Sequence, residues 1–309
     1  MVDILMAKEI NKLIDIEGGG KFIVREVMKL VVFIRHPHEL IAGDIVSAFR
    51  RFMLVVPDGS LRMYSGASGD WFEATASQLD RIVSERLTGS GMTINGAISI
   101  SGGQANIPDF FFEYQGLAIH DKLFKDDACF VQAWVPMAFY WEHQEEVKGL
   151  LAEWASILPL SYAYMSIALE GNQGRKQKLA HRFLCVDIAE VSSVIFGIGD
   201  RTSGAHWINV FGKKVAGKLP PQSEIEAILG GDALVQKKSD NLWVQLSLLP
   251  ILGDQNHQES ISSYQALASM LDRQEVLYMP DKVTYFEDED DQEDVDAQSI
   301  WHHRFLREG

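Results

Sequence analysis

Histidines are the side chains of this sequence whose spacing comes nearest to a reactive site. His36 and His38 are two positions apart, so both would point the same way in an extended segment and could share a metal ion. No further ligands lie near them in sequence, so we predict two polar residues at a strand end and no metal. His302 and His303 adjoin an acidic run, where a loosely bound divalent ion is the alternative to a solvated segment.

Enzyme motifs do not occur here in their working form. Gly199 and Gly204 have the spacing of a phosphate-binding loop, but Ala205 and His206 replace the lysine and the hydroxyl residue that hold phosphate and Mg²⁺. The sequence contains no GxSxG turn, no HExxH helix and no CxxC pair. We therefore predict a non-enzyme without cofactor or metal. The alternative is an enzyme of small-molecule metabolism whose site assembles only in the fold.

An acidic run at 287–296, EDEDDQEDVD, is the most highly charged segment. A calcium loop starting at Asp288 would need glycine at its sixth position, where Glu293 stands. Such a run is typically solvated, and the alternative is a polyanionic arm that docks in a basic groove by imitating phosphate spacing. For that alternative the candidate contacts are the carboxylates and two aromatic anchors after them: Asp288, Glu289, Asp290, Asp291, Glu293, Asp294, Trp301 and Phe305.

Composition and charge narrow the class of partner. The chain has 43 acidic and 28 basic residues among 309, and 47% of its residues are hydrophobic. A net charge of −15 repels nucleic acid and anionic membranes, so we expect neither as a direct partner. The sequence shows no signal-peptide core and no apolar run of about 18 residues, so a cytoplasmic location is expected.

Apolar periodicity predicts an α+β fold with mixed or antiparallel sheets and helices on one face. Strand patterns occur at 27–34, 129–140 and 162–169. Helical spacing occurs at 41–52, 72–87, 147–158 and 261–271. Pro136 must bend its strand or place it at an edge, and Ser260 is the expected cap of the last helix. Most of the seven tryptophans lie in apolar patterns and are predicted core residues.

A weak internal similarity in the order of predicted elements suggests the domain organisation. The strand, helix and strand of 27–64 resemble those of 129–169, which suggests two βαβ-type halves packed together. We therefore predict an N-terminal helix at 1–20, an N-terminal α+β half at 21–125, a C-terminal α+β half at 126–286 and an acidic tail at 287–309.

Three short motifs occur in order between residues 204 and 273. GAHWINVF resembles the pattern G-x-x-W-[LI]-x-x-[LF], LGG follows, and PILGDQN is similar to P-x-x-G-D-x-N before a final helix. Order and spacing together resemble the type VI immunity family. The motif positions are Gly204, Trp207, Gly230, Gly231, Pro250, Gly253, Asp254 and Asn256. Their residue types suit turns and core packing, so we expect them to form scaffold rather than to contact a partner.

This resemblance implies an immunity protein, encoded beside a toxic effector of bacterial type VI secretion or a related system. Such a protein binds and neutralises one cognate toxin and is not an enzyme. Our hypothesis is that the chain occludes the active site or substrate groove of a toxin acting in the cytosol, with a DNA-degrading nuclease favoured. An adaptor that loads an effector for secretion is a further alternative. A homodimer is compatible with the sequence, although nothing in it requires one.

Overall fold

The computed structural model describes residues 24–89, 95–103, 107–119, 124–172, 176, 179–278 and 303–306. The predicted N-terminal helix at 1–20 and the acidic run at 287–296 lie outside the described residues. None of the helices in the described ranges combines the length and the apolar character that crossing a bilayer requires.

All the strands of the described ranges belong to one antiparallel sheet. In chain order they are β1 (Val24–Ile34), β2 (Met63–Ser65), β3 (Trp71–Glu73), β4 (Gly96–Ser101), β5 (Phe111–Gly116), β6 (Cys129–Pro136), β7 (Leu160–Gly171), β8 (Ile208–Phe211), β9 (Leu234–Lys238) and β10 (Asn241–Gln245). Their order across the sheet is β3-β2-β4-β5-β6-β1-β7-β8-β10-β9. β1 is central because it pairs with both β6 and β7, and its apolar residues are buried on both faces.

The helices pack their apolar stripes against this sheet and against each other. They are α1 (His38–Val55), α2 (Ala76–Thr88), α3 (Met137–Glu142), α4 (Gln144–Ile157), α5 (Val191–Val194), α6 (Lys213–Ala216), α7 (Gln222–Leu229) and α8 (Ser262–Arg273). α1 buries the predicted stripe that includes Ile45, Phe49 and Phe52. The indole of Trp154 in α4 donates to the Ala48 carbonyl in α1 at 3.0 Å, so the two helices are also joined by a buried hydrogen bond.

Alternation along β5 separates the two faces of the sheet. Phe112 contacts Phe49 and Trp154, so its side chain lies on the face covered by α1 and α4. Its neighbour Phe111 must point to the opposite face, where its ring stacks on Trp134 with centroids 4.0 Å apart. The α+β class predicted from the sequence is confirmed, and the strand pairs are antiparallel rather than mixed.

Three local predictions are wrong. The strand predicted at 129–140 ends at Pro136, which lacks an N–H and precedes α3, and β6 is an inner strand instead of an edge. The helix predicted from Phe72 begins at Ala76, because Thr75 and Gln78 form a reciprocal capping box. Ser260 does not cap α8, since its hydroxyl pairs with the Ser262 hydroxyl at 3.2 Å.

Strand pairs run across the predicted boundary between halves at 125/126. β6 of the C-terminal segment pairs with β5 and with β1, and both of these belong to the N-terminal segment. The two segments therefore share one sheet. The domain boundaries themselves stay a prediction.

Candidate functional site

The first motif lies in the interior of the fold. Trp207 is fully buried, and its indole donates to the Ser247 carbonyl at 2.9 Å. The Gly204 carbonyl accepts a hydrogen bond from the Tyr162 hydroxyl at 3.1 Å. Asn209 is also buried, and its side-chain oxygen accepts from the same hydroxyl at 2.9 Å. These contacts hold β8 against β7, which fits the scaffold role predicted for the motif.

The second motif ends helix α7. Gly230 is the C-cap residue with φ of +84°, a conformation that glycine adopts without the penalty of a Cβ. Its amide donates to the Glu226 carbonyl at 3.1 Å. Gly231 follows at the turn toward β9, and open space surrounds the position where its Cβ would be. The motif therefore terminates a helix, as turn chemistry predicts.

The third motif is a close-packed turn after β10, in which Pro250 is buried. Gly253 has φ of +65°, and a Cβ there would lie 2.8 Å from the sulfur of Cys185 and 2.9 Å from Ile261. The carboxylate of Glu259 accepts the amides of Gly253 and Asp254 at 2.7 and 3.1 Å. Only glycine satisfies both the backbone angle and the close approach at position 253.

Asp254 is the polar centre of this turn. Its two carboxylate oxygens accept from Arg182 at 2.9 and 2.6 Å, and one also accepts from the Asn256 amide at 3.0 Å. Nδ1 of His257 lies 2.9 Å from the second oxygen. The hydrogen bonds from Arg182 hold the pKa of Asp254 at about 2, against the opposing effect of burial. Asp254 thus ties the 179–185 segment to the turn.

A network of buried charged groups joins β1, β7 and the segment 187–189. Lys29 donates to Glu170 at 2.8 Å and to the Ala189 carbonyl at 3.2 Å. Burial alone would lower the pKa of Lys29, but the carboxylates of Glu170 and Asp187 outweigh it and raise that pKa. Asp187 accepts from the Tyr164 hydroxyl at 2.8 Å and from the Ala189 amide at 2.9 Å. The charges are paired in the interior, as buried charges require.

Ser203, His206 and Asp187 are the residue types of a nucleophile, a general base and its orienting acid. The Ser203 hydroxyl lies 3.3 Å from Nε2 of His206. However, the His206 ring is only 3% exposed and stacks on Tyr164 with centroids 3.6 Å apart. Burial lowers the pKa of His206 to about 3, which makes it a weak base at neutral pH. The arrangement suits core packing better than catalysis.

The histidine pair of the sequence analysis does not face one site. His38 begins α1, is buried, and its Nδ1 lies 2.8 Å from the Tyr114 hydroxyl, whereas His36 is exposed. The two side chains diverge because the strand ends at Ile34, before both, and the helix begins at His38 with Pro37 as its N-cap, so no extended segment carries the pair. Among the described residues, no group of three or more His, Cys, Asp or Glu could hold a metal ion.

The predicted toxin contacts lie at the C-terminal end of the chain. Trp301 and the six carboxylates are outside the described residues. Phe305 is described: its side chain is 4% exposed and packs against Tyr264 with ring centroids 5.5 Å apart. Arg304 beside it donates to the Leu184 carbonyl at 2.7 Å. Phe305 is therefore a core residue of the described chain, and its contact with a toxin stays a prediction.

Several large aromatic side chains are exposed within the described part of the chain. Trp71 and Phe72 of β3 are 41% and 46% exposed, although most tryptophans were predicted to be core residues and Phe72 was predicted to lie in a helix. Phe124 and Phe196 are exposed as well. The exposure of Trp71 and Phe72 depends on where the sheet ends, which no local pattern specifies.

Comparison with known proteins gives this fold a context. A family model described as "Type VI immunity for VRR-NUC" matches residues 44–305. The fold is similar to that of a Pseudomonas aeruginosa T6SS protein, PA0821, with a TM-score of 0.77 and 12% sequence identity over 99% of this chain and 91% of that one. No curated protein sequence matches the chain. The family match runs from α1 to the packed C-terminal segment and includes all three motifs, so this chain belongs to the family of type VI immunity proteins.

Proposed function

We propose that this immunity protein binds a toxin of the VRR-NUC kind and blocks its active site or substrate groove. The family match carries the proposal, because its description names VRR-NUC and it covers most of the chain. The resemblance found in the sequence motifs points the same way. The net charge favoured a nuclease as the toxin, and the family description, which names VRR-NUC, supports the same class of partner.

Electrostatics supports a nuclease partner. A protein that cleaves nucleic acid must bring cationic side chains to the phosphate backbone, so its substrate groove is basic. The immunity protein has a net charge of −15 and would be attracted to that groove while being repelled by the nucleic acid itself. Binding would therefore place the inhibitor where the substrate enters.

Inhibition by occupancy needs no chemistry from the chain, and we propose that it has no catalytic activity and needs no cofactor. Trp207, Pro250, Gly253 and Asp254 of the motifs are buried, and within the described ranges the Ser203, His206 and Asp187 cluster of catalytic residue types is centred on a buried histidine. We also propose that it acts in the cytoplasm, where a nuclease that degrades DNA would meet its target. The effector-loading adaptor remains the alternative.

A reconstituted cleavage assay tests this proposal. The cognate toxin is incubated with plasmid DNA and increasing amounts of the immunity protein, with bovine albumin at equal concentration as control. We expect cleavage to stop near equimolar protein, with a Kd of nanomolar order or below, about −12 kcal/mol. A stable complex that still cleaves DNA at full rate would contradict occlusion. Absence of a complex would contradict the assigned partner.

Cell growth supplies the second measurement. The toxin is expressed in bacteria from an inducible promoter, with and without this chain. Rescue of growth by the chain, together with intact chromosomal DNA, is the expected result. Toxicity that persists despite equal expression of both proteins would count against immunity to this toxin.

A further inference from the structure

Strand β3 forms one outer edge of the sheet within the described part of the chain. The Asp70 carbonyl accepts from the Gly66 amide at 2.6 Å, and the Ala74 amide donates to the Arg62 carbonyl at 2.8 Å, so both groups point toward β2. In an antiparallel ladder, residues at alternate positions face opposite ways, so Trp71 and Glu73 direct their N–H and C=O groups away from β2. These groups are a template on which another strand can pair.

Two aromatic side chains flank this template. Trp71 and Phe72 are adjacent, so they stand on opposite faces of the strand, and both are more than one-third exposed. Phe72 is held in place by Tyr64, with ring centroids 5.6 Å apart, and by its close approach to Gly66. Half-exposed aromatic residues in fixed positions are the usual anchors of protein interfaces.

The other edge of the sheet differs in kind. β9 carries Lys237 and Lys238, both exposed, and charged edge residues of this kind discourage pairing with another strand. β3 has no lysine and no proline. The two edges therefore differ in the residue types that prevent strand addition.

The charged side chains of β3 and of the residue before it are acidic. Glu73 and Asp70 are both exposed, whereas the nearby basic side chains of Arg62 and Arg86 lie on the β2 side, where each donates to a backbone carbonyl. Asp70 and Glu73 therefore supply the charge beside the outward backbone groups of the edge strand. A strand that pairs here meets a negative potential, so a basic partner segment is favoured over an acidic one.

We propose that β3 is a docking strand for a basic, extended segment of the nuclease toxin. That segment adds to the sheet beside β3, pairs with the outward backbone groups of Trp71 and Glu73, and packs apolar side chains on the two aromatic rings. The proposal rests on the proposed function, and it assigns to the toxin-binding surface residues other than the acidic run.

Calorimetric titration of full-length protein with a cleavage-inactive form of the toxin tests the docking strand. Trp71→Ser removes one anchor, and Glu73→Pro removes an outward N–H without touching the bonds to β2. We expect either change to raise Kd at least tenfold. Leu234→Ser on β9 is the matched control, since it removes a half-exposed apolar side chain from the opposite edge, and its Kd should stay within twofold of the parent value.

Glu73→Lys keeps the strand and reverses its charge, so it covers the case in which the proline variant does not fold. It should weaken binding at least tenfold at low salt. Parent-like affinity for Trp71→Ser and Glu73→Lys would overturn the docking strand while leaving the immunity function intact. Failure of the unmodified protein to bind would instead overturn the proposed partner. Sedimentation adds one more outcome: a dimer abolished by Trp71→Ser, with unchanged toxin affinity, would show that β3 pairs with a second copy and contradict the proposal.

Discussion

Asp254 and Glu26 show two opposite ways of holding a carboxyl group in this fold. Asp254 accepts hydrogen bonds from Arg182 and the Asn256 amide, and these keep it ionised. Glu26 is 6% exposed, its Oε2 atom has no hydrogen-bond partner within the described ranges, and burial raises its pKa to about 8. The first group stabilises the fold as an anion, whereas the second must be protonated to remain inside.

Glu26→Gln should stabilise the protein at alkaline pH. In the folded state the carboxyl keeps its proton up to about pH 8, whereas the unfolded chain releases it above pH 4.5. Stability therefore falls as pH rises through this window, by up to about 1.4 kcal/mol per unit. Urea unfolding at pH 5 and pH 8 should show a smaller loss for Glu26→Gln than for the parent. Equal losses in both proteins would contradict the assigned pKa.

Asp254→Asn should destabilise the fold by about 1–3 kcal/mol, because it removes the charge that Arg182 pairs with and leaves that guanidinium half-satisfied. The free energy of unfolding from urea titration at pH 7 is the measurement. His257→Ala is the control, since its ring is 58% exposed and its loss should change stability by less than about 0.5 kcal/mol. Similar losses in the two variants would contradict the central role of Asp254.

At the scale of elements, the turn between β10 and α8 joins two parts of the chain that are distant in sequence. Leu184 and Cys185 donate their backbone amides to the carbonyls of Gly253 and Leu252, at 3.2 and 2.9 Å. These bonds hold the 179–185 segment directly against the motif turn. The close approach of Cys185 explains why Gly253 tolerates so little additional volume.

Gly253→Ala should cost about 1–3 kcal/mol, because its positive φ disfavours a side chain and the new Cβ would lie within 3 Å of Cys185 and Ile261. Thermal unfolding followed by circular dichroism measures the loss. Gly231→Ala is the matched control, because its Cβ would meet open space. A melting temperature of Gly253→Ala equal to that of the control would show that the turn relaxes freely.

At the scale of the molecule, one sheet links the N-terminal and C-terminal parts of the chain. Phe305 packs back on Tyr264, so the described C-terminal residues belong to the same core. The net charge of −15, to which the eight carboxylates of 287–296 contribute, determines how partners approach at long range. Long-range attraction affects the rate of encounter more than the lifetime of a complex.

Association with the nuclease should therefore slow as salt rises. The association rate constant is expected to fall roughly tenfold or more between low and high ionic strength, because screening shortens the reach of the charges. Stopped-flow mixing across a series of NaCl concentrations measures it, and the dissociation rate constant should change much less. An association rate independent of salt would indicate that the acidic surface does not steer binding.

The sequence by itself determined the fold class, most helices and strands, and the family, because these depend on local periodicity and on short ordered motifs. Trp207, Gly230 and Gly253 could be assigned to scaffold from residue type alone, since burial and positive φ restrict which residues fit. Only the tertiary structure decided that Trp71 and Phe72 stand on an outer strand, that Phe305 is buried, and that His36 and His38 diverge. Strand order and the return of the C-terminal segment arise from contacts between residues far apart in the chain, and a local pattern does not contain them.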